Sequence, residues 1–253
     1  MQDPTQRFTS RVDDYIKYRP AYPEAVVAEL RRECGLTAEW AVADIGSGPG
    51  NLSRLFLTNG NRVFGVEPNR AMREAGERLL RDDPRFVSVT GTAEATTLAN
   101  ESVDLVVAGQ AFHWFERERA RQEFRRILRH SRWVALVWNE RRVAGTPFLV
   151  GYEALLREYG TDYAAVRHAD GADAAALNAF FGPGGYVVAT FENSQRFDFD
   201  GLRGRLLSSS YTPETGNPRR DAMLQDLQAL FAAHQSGGVI SFDYDTRVYY
   251  GKL

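Results

Sequence analysis

Apolar runs and amphipathic stretches alternate regularly between residues 41 and 140. Runs of strand length recur five times, and stretches whose apolar residues repeat with helical spacing lie between them. The predicted strands are 41–44, 62–67, 85–90, 103–109 and 132–140, and the predicted helices are 51–60, 69–82 and 116–130. Strands that alternate with helices form right-handed βαβ units, so the pattern predicts a doubly wound α/β fold with five parallel strands.

The first forty residues have helical rather than strand spacing. Tyr15 and Tyr18 belong to a series of aromatic residues at roughly helical intervals, and that helix should end before Pro20, since a residue before proline disfavours the α conformation. A second helix should begin near Pro23. We interpret residues 1–40 as a helical lid. The alternative, that the tyrosines only pack on the sheet edge, stays open.

The regular alternation of predicted strands and helices ends after Glu140. Helices are predicted over 147–160, 201–210 and 218–235, and strands over 186–199 and 241–253. The two late strands join the sheet, and the helices form a cap beside it. We therefore predict one domain over 1–253, with the lid at 1–40, a ligand-binding half at 41–140, and the cap and last strands at 141–253.

Composition excludes several classes of protein. The 253 residues have a formal net charge of −2 with mixed signs, so no overall field attracts nucleic acid or membrane. The single cysteine excludes an internal disulfide, and the histidines lack metal-ligand spacing, so no metal is expected. No apolar run is long enough to span a membrane, and the N-terminus lacks a signal-peptide pattern. A cytoplasmic location is the default expectation.

A glycine-rich turn follows the first strand, in the sequence AVADIGSGPGN. Gly46, Gly48 and Gly50 alternate, whereas a dinucleotide fingerprint has its third glycine one place later, where this chain has Asn51. Asp44 precedes the turn, and a carboxylate there suits a cationic ligand better than a pyrophosphate. The D-x-G-x-G-x-G pattern resembles the first motif of class I methyltransferases that use S-adenosylmethionine (SAM). An ordinary structural turn is the competing interpretation.

Glu67 ends the second predicted strand in the sequence GVEP. An acid at this position accepts hydrogen bonds from ribose hydroxyls in nucleotide-binding folds, which supports a nucleoside ligand without choosing between SAM and NAD. An exposed helix cap is the alternative. Met72 is placed on the first turn of the next helix, where an adenine could rest or the side chain could simply pack.

Further motifs extend the resemblance over almost the whole chain. The sequences FTSRVDDYIKYRPAYP, ADIGSGPG, GVEP, TAE, DLVVAGQAFHWF and SSSYTP together resemble small-molecule SAM methyltransferases of the type 11 family, which includes trans-aconitate methyltransferase-like enzymes. The resemblance implies a Rossmann-like, seven-stranded, mostly parallel sheet. It departs from the family pattern at Thr96–Leu98, where Leu-Pro is usual, which puts the path of that loop in doubt.

The resemblance also implies roles for individual residues. The implied SAM-binding residues are Asp44, Gly46, Ser47, Gly48, Gly50, Asn51, Glu67, Pro68, Met72, Ala93, Glu94, Gln110, Ala111, Tyr18 and Arg19. The implied acceptor-binding residues are Tyr15, His113, Trp114 and Tyr211. His113 is the candidate catalytic base, because histidine titrates near neutral pH. A purely structural histidine is the alternative.

The expected reaction is methyl transfer to a small molecule, with S-adenosylhomocysteine as the product. An oxygen acceptor is favoured. A carboxylate needs no base, whereas a hydroxyl would need His113, and Arg19 and Arg142 are candidates to pair with an anionic acceptor. A nucleic-acid methyltransferase, an NAD-dependent reductase and a SAM-binding protein without transfer activity are the competing readings. Neither the acceptor nor the oligomeric state can be read from the sequence.

Overall fold

A seven-stranded sheet forms the centre of the computed structural model, which describes residues 16–161, 163, 173–209 and 211–253. The strand order is β3-β2-β1-β4-β5-β7-β6. The strands are β1 (Ala41–Ile45), β2 (Arg62–Val66), β3 (Phe86–Val89), β4 (Val103–Gly109), β5 (Leu128–Arg141), β6 (Val187–Phe197) and β7 (Ile240–Lys252). Strands β1 to β5 pair in parallel, and β7 runs antiparallel to both β5 and β6. The predicted fold class is confirmed.

Eight helices accompany the sheet in the described residues. They are α1 (Ala25–Cys34), α2 (Asn51–Thr58), α3 (Arg70–Leu80), α4 (Arg117–Ile127), α5 (Pro147–Tyr159), α6 (Ala174–Phe181), α7 (Phe199–Leu207) and α8 (Pro218–His234). In the described part of the lid, residues 16–18 are helical and that helix ends before Pro20, as predicted. None of these helices is both long enough and apolar enough to cross a membrane.

The period-two alternation of the strands divides the core between the two faces of the sheet. In β4, Leu105 and Val107 pack with α1 and α2 on one face, whereas Val106 and Ala108 pack with α4 and α6 on the other. All four side chains are almost completely buried. A strand buried on both faces reads as a continuous apolar run, which is why VDLVVAG was recognisable as a central strand.

The chain leaves β1 at the point where the strand order reverses. Strand β1 pairs with β2 on one side and β4 on the other, so the crossovers that follow β1 and β3 run in opposite directions. Such a switch point opens a crevice beyond the carboxyl ends of the strands, where ligands bind in doubly wound folds. The glycine-rich turn lies at this edge.

A third apolar cluster lies apart from the two faces of the sheet and forms the cap. It joins α5, α7 and α8 to the start of β7 through Phe148, Leu202, Leu227 and Phe242, all of them buried. The cap therefore has its own apolar centre, although its division from the rest of the chain stays a prediction.

The junction between α4 and β5 differs from the sequence prediction. Helix α4 ends at Ile127, not at residue 130, because Leu128 already pairs with Val103 of β4. The pairing shifts register before Leu105, and Arg129 bonds across to Asp104 at 2.7 Å. Sheet pairing here overrides the helical pattern that continues along the sequence.

Candidate functional site

The glycine-rich turn has a backbone that only glycine adopts readily at three positions. The φ angles of Gly46, Gly48 and Gly50 are +69°, +53° and +87°. A Cβ added at Gly46 would lie 2.7 Å from Cβ of Ala111, whereas one added at Gly48 would meet nothing within 4 Å. Glycine is therefore needed at position 46 because the turn packs closely against Ala111, just after β4. Gly48 leaves open space above the turn.

Asp44 lies buried under this turn. Its Oδ2 accepts a hydrogen bond from Ser53 Oγ at 2.6 Å, while Oδ1 is buried with no hydrogen-bond partner among the described residues. Burial raises the pKa of this carboxyl from 3.8 to about 7, and the Ser53 bond only partly offsets the rise. A positive group nearby would satisfy the second oxygen and favour the charged form.

Glu67 lies buried beside the same turn. Its Oε2 accepts from the Gly48 backbone N–H at 2.9 Å, and its Oε1 accepts from that of Asn69 at 2.7 Å. Burial raises its pKa, against the two backbone bonds. Asn69, not Glu67, caps α3, since its side chain accepts from the Met72 N–H at 3.0 Å. The acid thus connects the end of β2 to the turn.

A cavity opens between the turn, the lid and the cap. Its walls come from Arg19, Pro20, Tyr22, Asp44, Gly46, Ser47, Gly48, Pro49, Asn51, Leu52, Gly109, Gln110, Asn139, Arg205 and Tyr244. Seven of the residues predicted to bind the cofactor are in this set: Arg19, Asp44, Gly46, Ser47, Gly48, Asn51 and Gln110. Elements distant in sequence therefore meet at the predicted edge of the sheet.

The remaining predicted cofactor positions lie outside the walls of this cavity. Gly50 and Pro68 flank the first turns of α2 and α3, and Met72 is buried in the first turn of α3. Ala93 is buried in the core, and Glu94 accepts a hydrogen bond from the Glu116 N–H at 2.8 Å. Their roles stay predictions.

The loop that departs from the family pattern is anchored to α4. Thr96 is fully buried, and both its N–H and its hydroxyl donate to Glu123 Oε1, at 2.8 and 2.5 Å. Arg126 holds the same carboxylate, and together these donors lower the pKa of Glu123 to about 2. A polar anchor therefore fixes the loop where Leu-Pro is usual in the family.

Gln110 connects the ends of β4 and β5. Its backbone has a φ of +55°, its N–H donates to the Val137 carbonyl at 2.9 Å, and its Oε1 accepts from the Asn139 N–H at 2.9 Å. These bonds hold Gln110 in the left-handed backbone conformation, in the wall of the cavity. A non-glycine residue in this conformation is uncommon and often marks a functional site.

His113 and Trp114 follow directly in a short 3₁₀ turn. Their rings lie 4.6 Å apart, and both side chains are half-buried. Phe112 anchors the turn by packing against Trp138 and Phe180. Neither His113 nor Trp114 lines the cavity, although both follow closely after Gln110, which does, so their predicted contact with an acceptor stays a prediction.

The lid is tied to the late strands through its backbone. Asn139 Nδ2 donates to the Ala21 carbonyl at 3.2 Å, Asn193 Nδ2 to the same carbonyl at 2.8 Å, and Gln195 Nε2 to the Tyr18 carbonyl at 3.3 Å. The ring of Tyr18 packs on Gly204 of α7 and lies outside the cavity walls. Tyr15 lies outside the described residues.

The comparisons with known proteins agree with this geometry. The family model described as a methyltransferase domain matches residues 43–136, which run from β1 into β5. Those residues are similar to a methyltransferase domain. They include the glycine-rich turn, Glu67, Gln110 and His113.

The curated relatives that match the chain are also called methyltransferases, and their names give no acceptor. An uncharacterised methyltransferase of Schizosaccharomyces pombe is 33% identical over 135 residues, which cover 53% of each chain. An uncharacterised methyltransferase of Mycobacterium tuberculosis strain H37Rv is 35% identical over 140 residues, or 55% of each chain. The chain thus spans about half the length of the curated relatives that it matches.

A solved structure matches over a longer stretch. A protein of Anaeromyxobacter dehalogenans, assigned without proof to the type II methyltransferases, superposes with a TM-score of 0.71 and 23% identity. The match covers 93% of this chain and 98% of that one. At this identity the likeness concerns the fold alone, which extends beyond the methyltransferase domain to the late strands.

Several cavity residues were missed by sequence reasoning. Arg205 and Tyr244 come from α7 and β7, outside the segment that the family model matches, and Asn139 lies near the end of β5. Arg205 had a readable signal, because it occupies the apolar face of α7 between Leu202 and Leu206. Arg142, by contrast, is already paired with Asp245 at 2.7 Å and Glu192 at 3.1 Å.

Tyr211 lies on the cap side of the molecule. Its ring packs edge to face with that of Tyr163 at 5.0 Å, and it belongs to the apolar cluster of the cap. It is not part of the cavity wall, so its predicted contact with an acceptor stays untested. Among the described residues, no group of three or more potential ligands is arranged to hold a metal ion.

Proposed function

We propose that this chain is a SAM-dependent methyltransferase that transfers a methyl group to an oxygen of a small-molecule acceptor, a carboxylate or a hydroxyl. The observation that carries the proposal is Asp44. It is fully buried under a glycine-rich turn and has one oxygen without a partner in the described residues. A pyrophosphate would be repelled there, whereas the positive charge of SAM would complete the site.

The residues around the turn fit SAM in two respects. The orphaned oxygen of Asp44 offers an acceptor to a cationic group, and the open space above Gly48 leaves room for a ligand against the backbone. Asp44, Ser47, Gln110 and Arg19 would hold the amino-acid part from the cavity walls. Glu67, with Met72 and Ala93 beside it, would hold the adenosine part.

The bound cofactor supplies a methyl group already activated by its sulfonium. The chain itself therefore has to position the acceptor in line and exclude water. Orientation of this kind is worth roughly 7–11 kcal/mol of the barrier. The lid, tied down by Asn139, and the cap, through Arg205 and Tyr244, close two sides of the cavity. A carboxylate acceptor reacts as the anion. For a hydroxyl acceptor, His113 would take the proton.

A small acceptor is supported by the enclosure of the site and by the surface around it. The cavity is bounded by the lid, the turn and the cap. Helix α4 is rich in arginine, but glutamates are interspersed with the arginines, and Arg126 pairs with Glu123 and Arg119 with Glu116. A solvated outer face of mixed charge does not attract nucleic acid.

Methyl transfer tests the proposal directly. The protein is incubated with SAM and one of three sets of acceptors: small carboxylic acids including trans-aconitate, small phenols and alcohols, or DNA and RNA. We expect S-adenosylhomocysteine release with a small acceptor, and a base-labile product if the methyl is on a carboxylate. Transfer to nucleic acid only, or no transfer by a protein that binds SAM, would contradict it.

The role of His113 is tested with the same assay. If the acceptor is a carboxylate, His113→Ala should change kcat by less than about threefold, because no proton is removed. If it is a hydroxyl, kcat should fall about a hundredfold or more, with unchanged SAM affinity. Loss of SAM affinity in His113→Ala would contradict a role confined to the acceptor.

A further inference from the structure

Arg205 is a buried cation in the wall of the cavity. Only 5% of the residue is exposed, and its guanidinium donates from Nε to Tyr244 Oη at 3.2 Å and from Nη1 to Ser209 Oγ at 3.1 Å. It also stacks over the ring of Phe242 at 5.5 Å. Both hydrogen-bond partners are neutral hydroxyls, and no carboxylate pairs with Arg205 among the described residues.

This lack of a counter-charge distinguishes Arg205 from two other arginines, Arg203 and Arg141. Arg203, two residues away on α7, is exposed and pairs with Asp200 at 3.1 Å. Arg141, whose side chain is 11% exposed, pairs with Glu153 at 2.5 Å. A buried charge without a partner costs several kcal/mol of folding stability. A protein retains such a group where a ligand supplies the missing charge.

The charges around the cavity give the sign of that ligand. Arg19, Asp44 and Arg205 are the only charged residues in its described walls, which leaves a net charge of +1 when Asp44 is ionised. SAM adds one more net positive charge, and the proposed function already assigns its amino-acid part, with its single carboxylate, to the walls formed by Asp44, Ser47, Gln110 and Arg19. Arg19 belongs to the lid and touches the end of α7 through the Ser208 carbonyl at 3.5 Å. A second anion is needed to neutralise the filled site.

We infer that Arg205, with the hydroxyl of Tyr244, forms a subsite for a carboxylate of the methyl acceptor, and so selects acidic acceptors. The inference rests on the proposed function and names its substrate class. The planar guanidinium can bind a carboxylate through Nη2 and a neighbouring N–H, a fork geometry that lysine lacks. Burial lowers the pKa of Arg205, but Tyr244, Tyr211 and Tyr152 raise it above its ordinary value, so the subsite stays positively charged.

The subsite is connected to the lid by a chain of hydrogen bonds. Arg205 donates to Tyr244, Tyr244 donates from its hydroxyl to Gln195 Oε1 at 2.8 Å, and Gln195 donates to the Tyr18 carbonyl at 3.3 Å. Occupation of the subsite therefore acts on the residue that holds the lid backbone. An acidic acceptor bound at Arg205 would therefore stabilise the contact between Gln195 and the Tyr18 carbonyl.

Calorimetric titration tests the inference without requiring turnover. The protein loaded with S-adenosylhomocysteine is titrated with trans-aconitate, citrate, inorganic phosphate and glycerol, and SAM affinity is measured separately. The variants are Arg205→Met, Arg205→Lys and the matched control Arg203→Met. Met is chosen because an apolar residue of similar volume often replaces a buried charge without loss of stability. Arg205→Lys keeps the charge if Arg205→Met does not fold.

We expect the wild type and Arg203→Met to bind at least one of the two carboxylic acids but not glycerol. Arg205→Met should weaken that binding about tenfold to a hundredfold, and Arg205→Lys by less, with SAM affinity within about twofold of the wild type throughout. Tighter binding of phosphate than of either acid, or no acid binding, would overturn the inference. So would a selective loss of SAM affinity, which would assign Arg205 to the cofactor and leave the proposed function intact. A wild type that does not bind SAM would instead refute the proposed function.

Discussion

Asp44 has one carboxylate oxygen bound to Ser53 and the other buried without a partner among the described residues. A carboxylate in this state ionises reluctantly, which is why burial raises its pKa to about 7. The raised pKa makes the site sensitive to pH near neutrality. The protonation of Asp44 therefore affects both the stability of the protein and its affinity for the ligand.

The pH dependence of SAM binding follows from Asp44. Between about pH 4 and pH 7 the folded protein holds a proton that the unfolded chain releases, so this group lowers the stability of the ligand-free protein as pH rises. SAM favours the ionised form. Its affinity should therefore fall by up to about tenfold per unit as pH drops below about 7, with proton release on binding.

Calorimetry at several pH values, in buffers of different ionisation enthalpy, measures both effects. Asp44→Asn should bind SAM more weakly and lose most of this dependence. Ser53→Ala should shift the dependence to higher pH, because the Ser53 bond lowers the pKa of Asp44. An equally steep pH dependence in Asp44→Asn would contradict the assignment.

The role of a residue could be predicted from the sequence where the residues that act together lie close to one another in the chain. The turn from Asp44 to Asn51 has its glycines, its acid and its helix within one short segment, so the pattern alone indicated a cationic ligand. The Arg205–Tyr244 contact joins positions 39 residues apart. The position of Arg205 on the apolar face of α7 suggests its burial, but the contact with Tyr244 and the missing counter-charge are visible only in the folded chain.

At the scale of elements, the lid is held by side-chain amides rather than by an apolar face alone. Asn139 is buried at the end of β5 and donates to the Pro20 and Ala21 carbonyls at 3.4 and 3.2 Å. Helical periodicity predicted that the lid helix ends before Pro20. It could not predict these bonds, because their donors lie more than a hundred residues later.

Asn139→Ala should therefore loosen the lid. The variant removes the donor to the buried Pro20 carbonyl, while the exposed Ala21 carbonyl keeps its bond from Asn193. The loss should lower the free energy of unfolding by about 1–3 kcal/mol and speed tryptic cleavage after Lys17. Mass spectrometry of timed digests and thermal denaturation measure the two effects. Asn178→Ala, at an exposed position on α6, is the control and should behave as the wild type. Equal cleavage rates in both variants would show that Asn139 does not hold the lid.

At the scale of the whole molecule, the parallel pairing of β1 to β5 follows from the alternation of strands and helices, and the two late strands join the sheet as predicted. Their antiparallel direction was not predicted. The cavity does not follow in the same way. Its walls come from the lid, three strand ends, the glycine turn and the cap, and only the folded chain brings Arg19 and Arg205 into one site. The cavity residues that the proposed acceptor would contact therefore come partly from segments that the common methyltransferase motifs leave unspecified.

The central claim is that the glycine-rich turn binds the adenosyl cation. The most direct test is thermal denaturation with SAM, S-adenosylhomocysteine or NAD, in the wild type, Gly48→Ala and Gly237→Ala. The two glycines have φ angles of +53° and +61° with open space around each, so alanine causes similar backbone strain, but Gly237 lies in the turn before β7. The account predicts that SAM and S-adenosylhomocysteine raise the Tm of the wild type and of Gly237→Ala, that Gly48→Ala loses most of this rise, and that NAD has no effect. Stabilisation by NAD and not by SAM, or an undiminished rise in Gly48→Ala, would contradict it.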